Sequence, residues 1–452
     1  MMATIGIIGG GAGGLAALKA ILDAPEFKSG TWKPMLFEAQ STIGGIWHPD
    51  DACPLYESLT TNLPNPVMCF QSYPFPSSTP IFPAAAYVQR YLEAYAAHFN
   101  LMPHIRLGEK VINLRWDAQS SHWIVTLQSS TIHHFDRVVI ANGHHSVPRY
   151  PQIPGLRTWL DAKRASHSVS YRRPAPFGNK VLIVGGGPSA NDISAELAKF
   201  CTIVRSMTGG SNKEENGVII RGRTVGFGDF AGGEVFFEDG SVEKDVDYCI
   251  LATGYEVSVP FLQMKTGLPP CPPLPSTLYN STAHIFPLAR LIFPIQEEFP
   301  PSTLAFVGLP VRVAPLPVME AQSAAIVRVF RDPSALDIAK ESQKILTRFT
   351  EMSERLGSLA TVAKQWSVFI EPEQWAYQDA LFAFAGSDER VPQWRKDMYT
   401  AKTLLRAFWV DLERRGDADE WVKDVHGMDA WVAVLQHLLE SAREWESTRI
   451  NS

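Results

Sequence analysis

The sequence predicts an α/β fold in which a unit of strand, glycine-rich turn and helix occurs twice along the chain. The first unit opens with an apolar strand at 4–8 that breaks into glycines and continues with helix-forming residues. The same order restarts at about 180, too far along the chain for a short solenoid repeat. From about 334 the pattern is helical. These observations favour two Rossmann-like domains with a helical C-terminal region.

The elements of the first part follow from hydrophobic periodicity. Alternating patterns predict strands, and tyrosines on one side of 84–99 predict an amphipathic helix. Residues 48–83 are rich in proline, serine, asparagine and aromatic residues, which predicts irregular structure. The predicted elements are strands at 4–8, 35–38, 110–116, 123–127 and 137–141, with helices at 15–22 and 84–99.

Two proline-rich stretches, 148–155 and 269–275, indicate crossings between domains. The sequence therefore predicts one domain at 166–274, inserted in a discontinuous domain made of 1–165 and 275–452. The elements predicted after the first crossing are strands at 180–184, 202–205, 246–252 and 304–307, with helices at 189–200 and 318–329.

Composition excludes several classes of protein. The chain has 452 residues, of which 45% are hydrophobic and 19% charged, so it is not wholly disordered. A net charge of −6 argues against nucleic acid or an anionic membrane as the main partner. No apolar stretch is long enough for a spanning helix, and no basic segment precedes the first strand. Five scattered cysteines without a CxxC pattern predict a reducing, cytoplasmic location and no metal site.

The first glycine motif is Gly9-x-Gly11-x-x-Gly14, placed between a strand and a helix. Its glycines allow a tight turn, a close approach to pyrophosphate and close helix–strand packing. Glu38 ends the next strand, where a carboxylate can accept hydrogen bonds from a ribose diol. The spacing from Gly9 to Glu38 is longer than usual, which we assign to an insertion at 23–34. The motif therefore predicts a dinucleotide site.

The second motif is Gly185-x-Gly187-x-x-Ala190, in which alanine is an accepted third residue. Arg205 stands at the end of the following strand, where an acidic residue would favour NADH. A guanidinium there suits a 2′-phosphate and favours NADPH, although an ordinary surface arginine is the alternative. Two dinucleotide sites in one chain suit transfer of hydride from a nicotinamide to a flavin, so FAD and NADPH are the expected cofactors.

Further motifs match, in order, those of one family. They are Gly44-Gly45-Ile46-Trp47 after Glu38, Leu59-Thr60-Thr61-Asn62-Leu63-Pro64, Asn142-Gly143-His144, His167-Ser168-x-x-Tyr171-Arg172, Asp247-x-x-x-Leu251-Ala252-Thr253-Gly254-Tyr255, and Glu320-Ala321-Gln322. Over residues 4–330 the chain resembles the flavin-containing monooxygenases. Beyond about 334 no family motif is found.

The resemblance implies an enzyme in which NADPH reduces bound FAD and oxygen adds to give a C(4a)-hydroperoxyflavin. One oxygen atom then passes to a nucleophilic nitrogen or sulfur of a small molecule, and the other leaves as water. The protein would mainly supply a dry, protected cavity. Detoxification and secondary metabolism are both open as biological settings, and so is a homo-oligomer formed through the C-terminal helices.

The resemblance also assigns candidate site residues. Asn62 is the candidate catalytic residue because a neutral amide can donate and accept hydrogen bonds; an Asx turn is the alternative. His167 and Tyr171 are expected to have a structural or cofactor-linked role, with proton transfer as the alternative. Asp192 either bonds the turn backbone or caps the helix, and Gln322 either contacts FAD or lies on a plain helix face. The other candidate cofactor contacts are Gly9, Gly11, Gly14, Glu38, Gly45, Trp47, Thr61, Gly185, Gly187, Pro188, Ser189, Asn191, Arg205, Thr253 and Gly254.

One departure from the family pattern affects the subclass. Asp161 and Lys163 stand where the family fingerprint has phenylalanine and glycine. Tyr171-Arg172 stands where the Baeyer–Villiger branch has Trp-Pro, which disfavours that branch. An oxidase that releases hydrogen peroxide is the other alternative. A disulfide reductase would need paired cysteines, and a non-catalytic FAD-binding module would not need both phosphate turns.

Overall fold

A computed structural model describes residues 2–49, 53–215 and 217–450. The chain forms two compact units. The first unit consists of Met1–His48, Thr60–Gly143 and Val257–Ser452, and the second of Pro49–Leu59 and His144–Glu256. The sequence predicts that residues 1–165 and 275–452 bind FAD and that residues 166–274 bind NADPH. This assignment of cofactors stays a prediction.

The first unit is built on a parallel sheet whose central strand is Ala3–Ile8. Helices Ala12–Asp23, Ala85–His98 and Pro315–Arg331 belong to this unit. The strands in spatial order are Leu304–Phe306, Arg137–Ile140, Ala3–Ile8, Trp32–Phe37 and Ile105–Arg106. An antiparallel sheet adds Val111–Asp117, His122–Leu127 and Ile132–Phe135. Shorter elements are strands Lys265–Thr266, Tyr279–Asn280, Ile285–Phe286, Leu288–Ala289 and Phe293–Pro294, and helices Pro25–Lys28, Gly45–Trp47, Asn65–Met68, Met102–His104, Pro301–Thr303 and Pro333–Ala335.

The C-terminal part of the first unit is helical, as the sequence predicts. Its tryptophans Trp366, Trp409 and Trp431 are fully buried and join the same apolar core as the first strand and the helix that follows it. The helices are Ile338–Leu356, Leu359–Gln365, Glu373–Ala385, Gln393–Thr400, Lys402–Arg415, Ala418–Val422 and Gly427–Ile450.

The second unit contains a six-stranded sheet that is parallel apart from one edge strand. Apolar clusters cover both of its faces, which is typical of parallel sheets. The strands in spatial order are Lys213–Glu215, Val218–Arg221, Thr202–Ser206, Lys180–Val184, Tyr248–Leu251 and Ala165–His167. The helices are Leu156–Asp161, Ser168–Ser170 and Pro188–Leu197, and the remaining strands are Val147–Pro148, Thr224–Phe227, Val235–Phe237, Val242–Glu243 and Tyr255–Glu256.

The structure confirms the α/β class, the two Rossmann-like units and the helical C-terminal region, and corrects the sequence prediction locally. The stretch 48–83 contains the helix Asn65–Met68, while 50–52 lie outside the described residues. The helix predicted at 318–329 extends over Pro315–Arg331, because proline is tolerated in a first helical turn. Across the described residues, no helix has the length and apolar character needed to cross a membrane.

Candidate cofactor and active site

The first glycine turn leaves no room for side chains at two of its positions. Gly9 has a φ of +108°, and a Cβ there would overlap the carbonyl oxygen of Ala141. A Cβ at Gly14 would overlap the carbonyl oxygen of Gly9. At Gly11 the nearest atom to a Cβ would be 3.4 Å away, on Gly45. A side chain would therefore overlap backbone atoms at Gly9 and Gly14, whereas Gly11 is less crowded.

The helix Ala12–Asp23 begins at this turn without a hydrogen bond from any described side chain to its first N–H groups. Such N–H groups and the helix dipole attract phosphate. A helix start that no described side chain caps, beside the less crowded position Gly11, is the kind of site that binds a pyrophosphate such as that of FAD.

Glu38 lies beside the same turn and is almost fully buried. One carboxylate oxygen accepts a hydrogen bond from the N–H of Gly10 at 2.5 Å, and the other accepts one from Gln40 at 2.8 Å. Each oxygen keeps a further lone pair. The turn backbone thus fixes the carboxylate where the sequence expects a ribose contact.

The segment that carries Gly45 and Trp47 is attached to the turn by its backbone. The N–H of Gly44 donates to the carbonyl of Gly10 at 3.0 Å. Gly45 is exposed and Trp47 half-buried. The structure therefore brings these two candidate residues to the first turn.

Gln322 is fully buried and both ends of its amide have protein partners. The N–H of Gly308 donates to Gln322 Oε1 at 2.9 Å, and Gln322 Nε2 donates to the hydroxyl of Tyr377 at 2.9 Å. Val307, next to Gly308, lies against Gly13 in the first helical turn. Gln322 thus supports the backbone beside the turn, and it does not lie on a plain helix face. Its direct contact with FAD stays a prediction.

Thr61 and Asn62 lie on one loop but differ in environment. Thr61 is buried, its N–H donates to the carbonyl of Pro83 at 2.9 Å, and its hydroxyl donates to Leu63 at 2.8 Å. Asn62 is exposed and forms no hydrogen bond with another described residue, so the Asx turn does not form. Its amide is free to meet a cofactor or substrate.

The second glycine turn repeats the backbone geometry of the first. Gly185 has a φ of +145°, and a Cβ there would overlap the carbonyl oxygen of Ala252, the residue before Thr253. A Cβ at Gly187 would meet nothing within 4 Å. The helix Pro188–Leu197 starts there, again with no cap from a described side chain. The candidate residues of its first turns are Pro188, Ser189 and Asn191.

Arg205 places a positive charge beside this second turn. Its Nε donates a long hydrogen bond of 3.4 Å to the carbonyl of Gly185. Burial lowers the pKa of Arg205, and the carboxylate of Glu215 acts in the opposite direction. The guanidinium remains charged and half-buried, which suits a phosphate better than a solvated surface position would.

Asp192 and Tyr171 are occupied by contacts that the sequence did not predict. The carboxylate of Asp192 accepts a hydrogen bond from the hydroxyl of Tyr56 at 2.6 Å, so it neither caps the helix nor bonds the turn. The hydroxyl of Tyr171 donates to Glu196 at 2.6 Å. Burial raises the pKa of both tyrosines, which keeps them protonated donors. Sequence reasoning missed Tyr56 because 136 residues separate it from Asp192.

His167 is buried and joins two backbone segments. Its Nδ1 accepts a hydrogen bond from the N–H of Val169 at 3.1 Å, so the proton lies on Nε2, which donates to the carbonyl of Gly254 at 3.0 Å. Burial lowers the pKa of His167 to about 4. A neutral histidine with both nitrogens engaged suits the expected structural or cofactor-linked role.

We expect Gly14→Ala to lower Tm and to reduce the flavin retained through purification, because the new methyl group must push the helix away from Gly9. Differential scanning fluorimetry and flavin absorbance measure the two effects. Gly232→Ala is the matched control, since a Cβ there would make only ordinary contacts. Equal Tm and flavin content in the two variants would contradict the steric argument.

We expect His167→Gln to flatten the loss of stability on acidification. The folded protein resists protonating His167 down to about pH 4, whereas the unfolded chain protonates it near 6.5. The contribution of His167 to the free energy of unfolding is therefore fully present above pH 6.5 and is lost as the pH falls from 6.5 to 4. Tm between pH 7.5 and 5 should fall less in the variant than in the wild type. His134→Gln, at an exposed position, should follow the wild type; identical slopes in all three proteins would refute the assignment.

Comparison with known proteins places this geometry in a family. A family model described as flavin-binding monooxygenase-like matches residues 2–214 and 216–393. The thiol-specific monooxygenase of Saccharomyces cerevisiae is 29% identical over 423 residues, which cover 88% of this chain and 92% of that protein. The flavin-containing monooxygenase FMO GS-OX-like 4 of Arabidopsis thaliana is 27% identical over 460 residues, covering 92% and 94%.

A solved structure supports the same conclusion. The S-allyl-L-cysteine S-oxygenase from Allium sativum superposes with a TM-score of 0.75 at 26% identity, over 99% of both chains. The predicted resemblance is confirmed, and with it an oxygen-using enzyme that acts on a small molecule with FAD and NADPH as cofactors. The chain belongs to the flavin-binding monooxygenase-like family.

Proposed function

We propose that the protein is an S-oxygenase that transfers one oxygen atom of O2 to a nucleophilic sulfur of a small thiol or thioether. NADPH and a proton supply the two electrons and two hydrogens that reduce the second oxygen atom to water. For a thioether the products are a sulfoxide, NADP⁺ and water. Nitrogen substrates are the alternative that the family resemblance leaves open.

The observation that carries the cofactor part of the proposal is the opposite charge beside two similar turns. The carboxylate of Glu38 adjoins the first turn and the guanidinium of Arg205 adjoins the second. A carboxylate accepts hydrogen bonds from ribose hydroxyls and repels a 2′-phosphate. A guanidinium attracts a 2′-phosphate. This supports FAD in the first unit and NADPH in the second.

Sulfur is favoured over nitrogen by the names of two proteins that match most of this chain. Relatives named N-oxide-forming dimethylaniline monooxygenases match at 25–26% identity, over a smaller share of 78–79% of this chain. The yeast relative is called thiol-specific, and the garlic neighbour is an S-oxygenase. Both matches extend over most of each chain. Cytoplasmic location, a homo-oligomer and a role in secondary metabolism stay predictions.

The chain's own residues would position and protect the reacting groups. Bound FAD supplies the electron transfer and oxygen activation that side chains lack. The free amide of Asn62 can donate to and accept from a cofactor or substrate without adding charge. Phe70, Phe75 and Phe82, on the same loop, are buried. All three belong to the apolar core of the first unit.

We expect the wild-type enzyme to form one oxygenated product per NADPH with a cysteine thioether or a small thiol. NADPH absorbance, oxygen uptake, released peroxide and mass spectrometry of the product give the balance. A tertiary amine and a cyclic ketone serve as comparison substrates. Preferred amine oxidation would overturn the choice of sulfur, and lactone formation would favour Baeyer–Villiger chemistry. One peroxide per NADPH with no product would identify an oxidase.

We expect Arg205→Gln to weaken binding of NADP⁺ and to leave binding of NAD⁺ almost unchanged. Losing a hydrogen bond to a charged group costs about 1.5–3 kcal/mol, which is roughly ten- to a hundredfold in Kd. Flavin fluorescence titration measures both constants. Arg223→Gln is the control, since that exposed arginine pairs with Glu238. Equal losses for both nucleotides would refute the phosphate role.

A further inference from the structure

The loop that carries Asn62 has a closed neck. Thr60 and Ala84 form an isolated antiparallel bridge, and the N–H of Thr61 donates to the carbonyl of Pro83. Asn62 follows the neck directly. Its position therefore depends on the geometry of the two chain segments that meet there.

A single side chain from the C-terminal helices contacts both segments of the neck. Arg406, on the helix Lys402–Arg415, donates from Nη2 to the hydroxyl of Thr60. Its guanidinium also lies 5.1 Å from the ring centre of Phe82, within the range of a cation–π contact. Phe82 is fully buried, so the partner is fixed. Arg406 thus contacts the segment of Thr60, two residues before Asn62, and the segment of Phe82 that meets it at the neck.

Other contacts from these helices reach the far part of the loop. The indole N–H of Trp431 donates to the carbonyl of Phe75 at 2.9 Å, and the N–H of Ser78 donates to Val422 at 2.9 Å. These contacts are thirteen or more positions from Asn62 along the chain. These contacts serve as a comparison for Arg406, because they also join the C-terminal helices to this loop but do not involve the neck.

We propose that Arg406 is a positioning residue that fixes Asn62 by clamping Thr60 against Phe82. The family model ends at 393, so this contact is not among the features that the model matches. The C-terminal helices then have two roles: they fill the core, and through Arg406 they hold the neck that positions Asn62. The part of this inference that concerns the reaction rests on the proposed function.

The clamp is tested with substitutions that remove one partner at a time. Thr60→Val keeps the shape and deletes the hydroxyl, while Thr60→Ser keeps the hydroxyl. Arg406→Met keeps an apolar stem and deletes the guanidinium. We expect Thr60→Val and Arg406→Met to release several-fold more peroxide per NADPH and to lower kcat for the oxygenated product, with KM for NADPH unchanged. Thr60→Ser should match the wild type, and the double variant should be no worse than the more severe single one.

A second readout does not depend on catalytic turnover. The Thr61 amide is hydrogen-bonded across the neck, so its hydrogen exchange reports opening of the neck. In the purified flavin-bound protein without NADPH, peptides covering 60–63 should exchange faster in Thr60→Val and Arg406→Met. Trp431→Phe is the control, and it should lower Tm while leaving this exchange and the peroxide ratio unchanged.

The two readouts separate the two ideas. No oxygenated product from any substrate with the wild type would overturn the proposed function, while the exchange experiment would still test the clamp. If Thr60→Val and Arg406→Met behave like Trp431→Phe in both readouts, the positioning role is wrong. If Arg406→Met does not fold, Thr60→Val and Thr60→Ser decide the question alone.

Discussion

The architecture depends on one close approach of backbone to backbone. Because Gly14 has no Cβ, the helix Ala12–Asp23 can start directly behind the strand Ala3–Ile8, against the carbonyl of Gly9. That position directs uncapped N–H groups to the end of the sheet, beside Gly11. Without this close approach of Gly14 to Gly9, the candidate residues of the first turn would not lie together at the end of the sheet.

The second turn also places a helix start at the end of a parallel strand, but its helix does not pack as closely against the turn. Ala190 occupies the third position and is fully buried, so this helix accommodates a methyl group where the first cannot. The two turns therefore share a backbone but differ in packing. What distinguishes them chemically is a single neighbouring side chain, Glu38 in one case and Arg205 in the other. Two similar scaffolds can thus take different dinucleotides with few residues changed.

The sequence predicts the parts of the site whose chemistry is local. A turn that requires glycine, an acid at a strand end and an arginine twenty positions after Gly185 can all be identified from spacing. The contacts of Asp192 with Tyr56 and of Arg406 with Thr60 cannot, because 136 and 346 residues separate the partners. Strands such as Val242–Glu243 and Lys265–Thr266 are also missed, since two residues carry no periodicity.

The loop at 60–84 shows why the C-terminal helices matter to the site. Apart from Asn65–Met68 it has no helix or extended strand, so little of its shape is fixed from within. Ordering a residue costs about 1–2 kcal/mol of conformational entropy, and a loop of this length must recover that from outside contacts. The loop's own Phe70 and Phe75 make such contacts with Tyr95 and Tyr91 of the helix Ala85–His98, and Phe82 is buried in the same core. Directional contacts come from the C-terminal helices, and the exposed amide of Asn62 gains a defined position only when both are present.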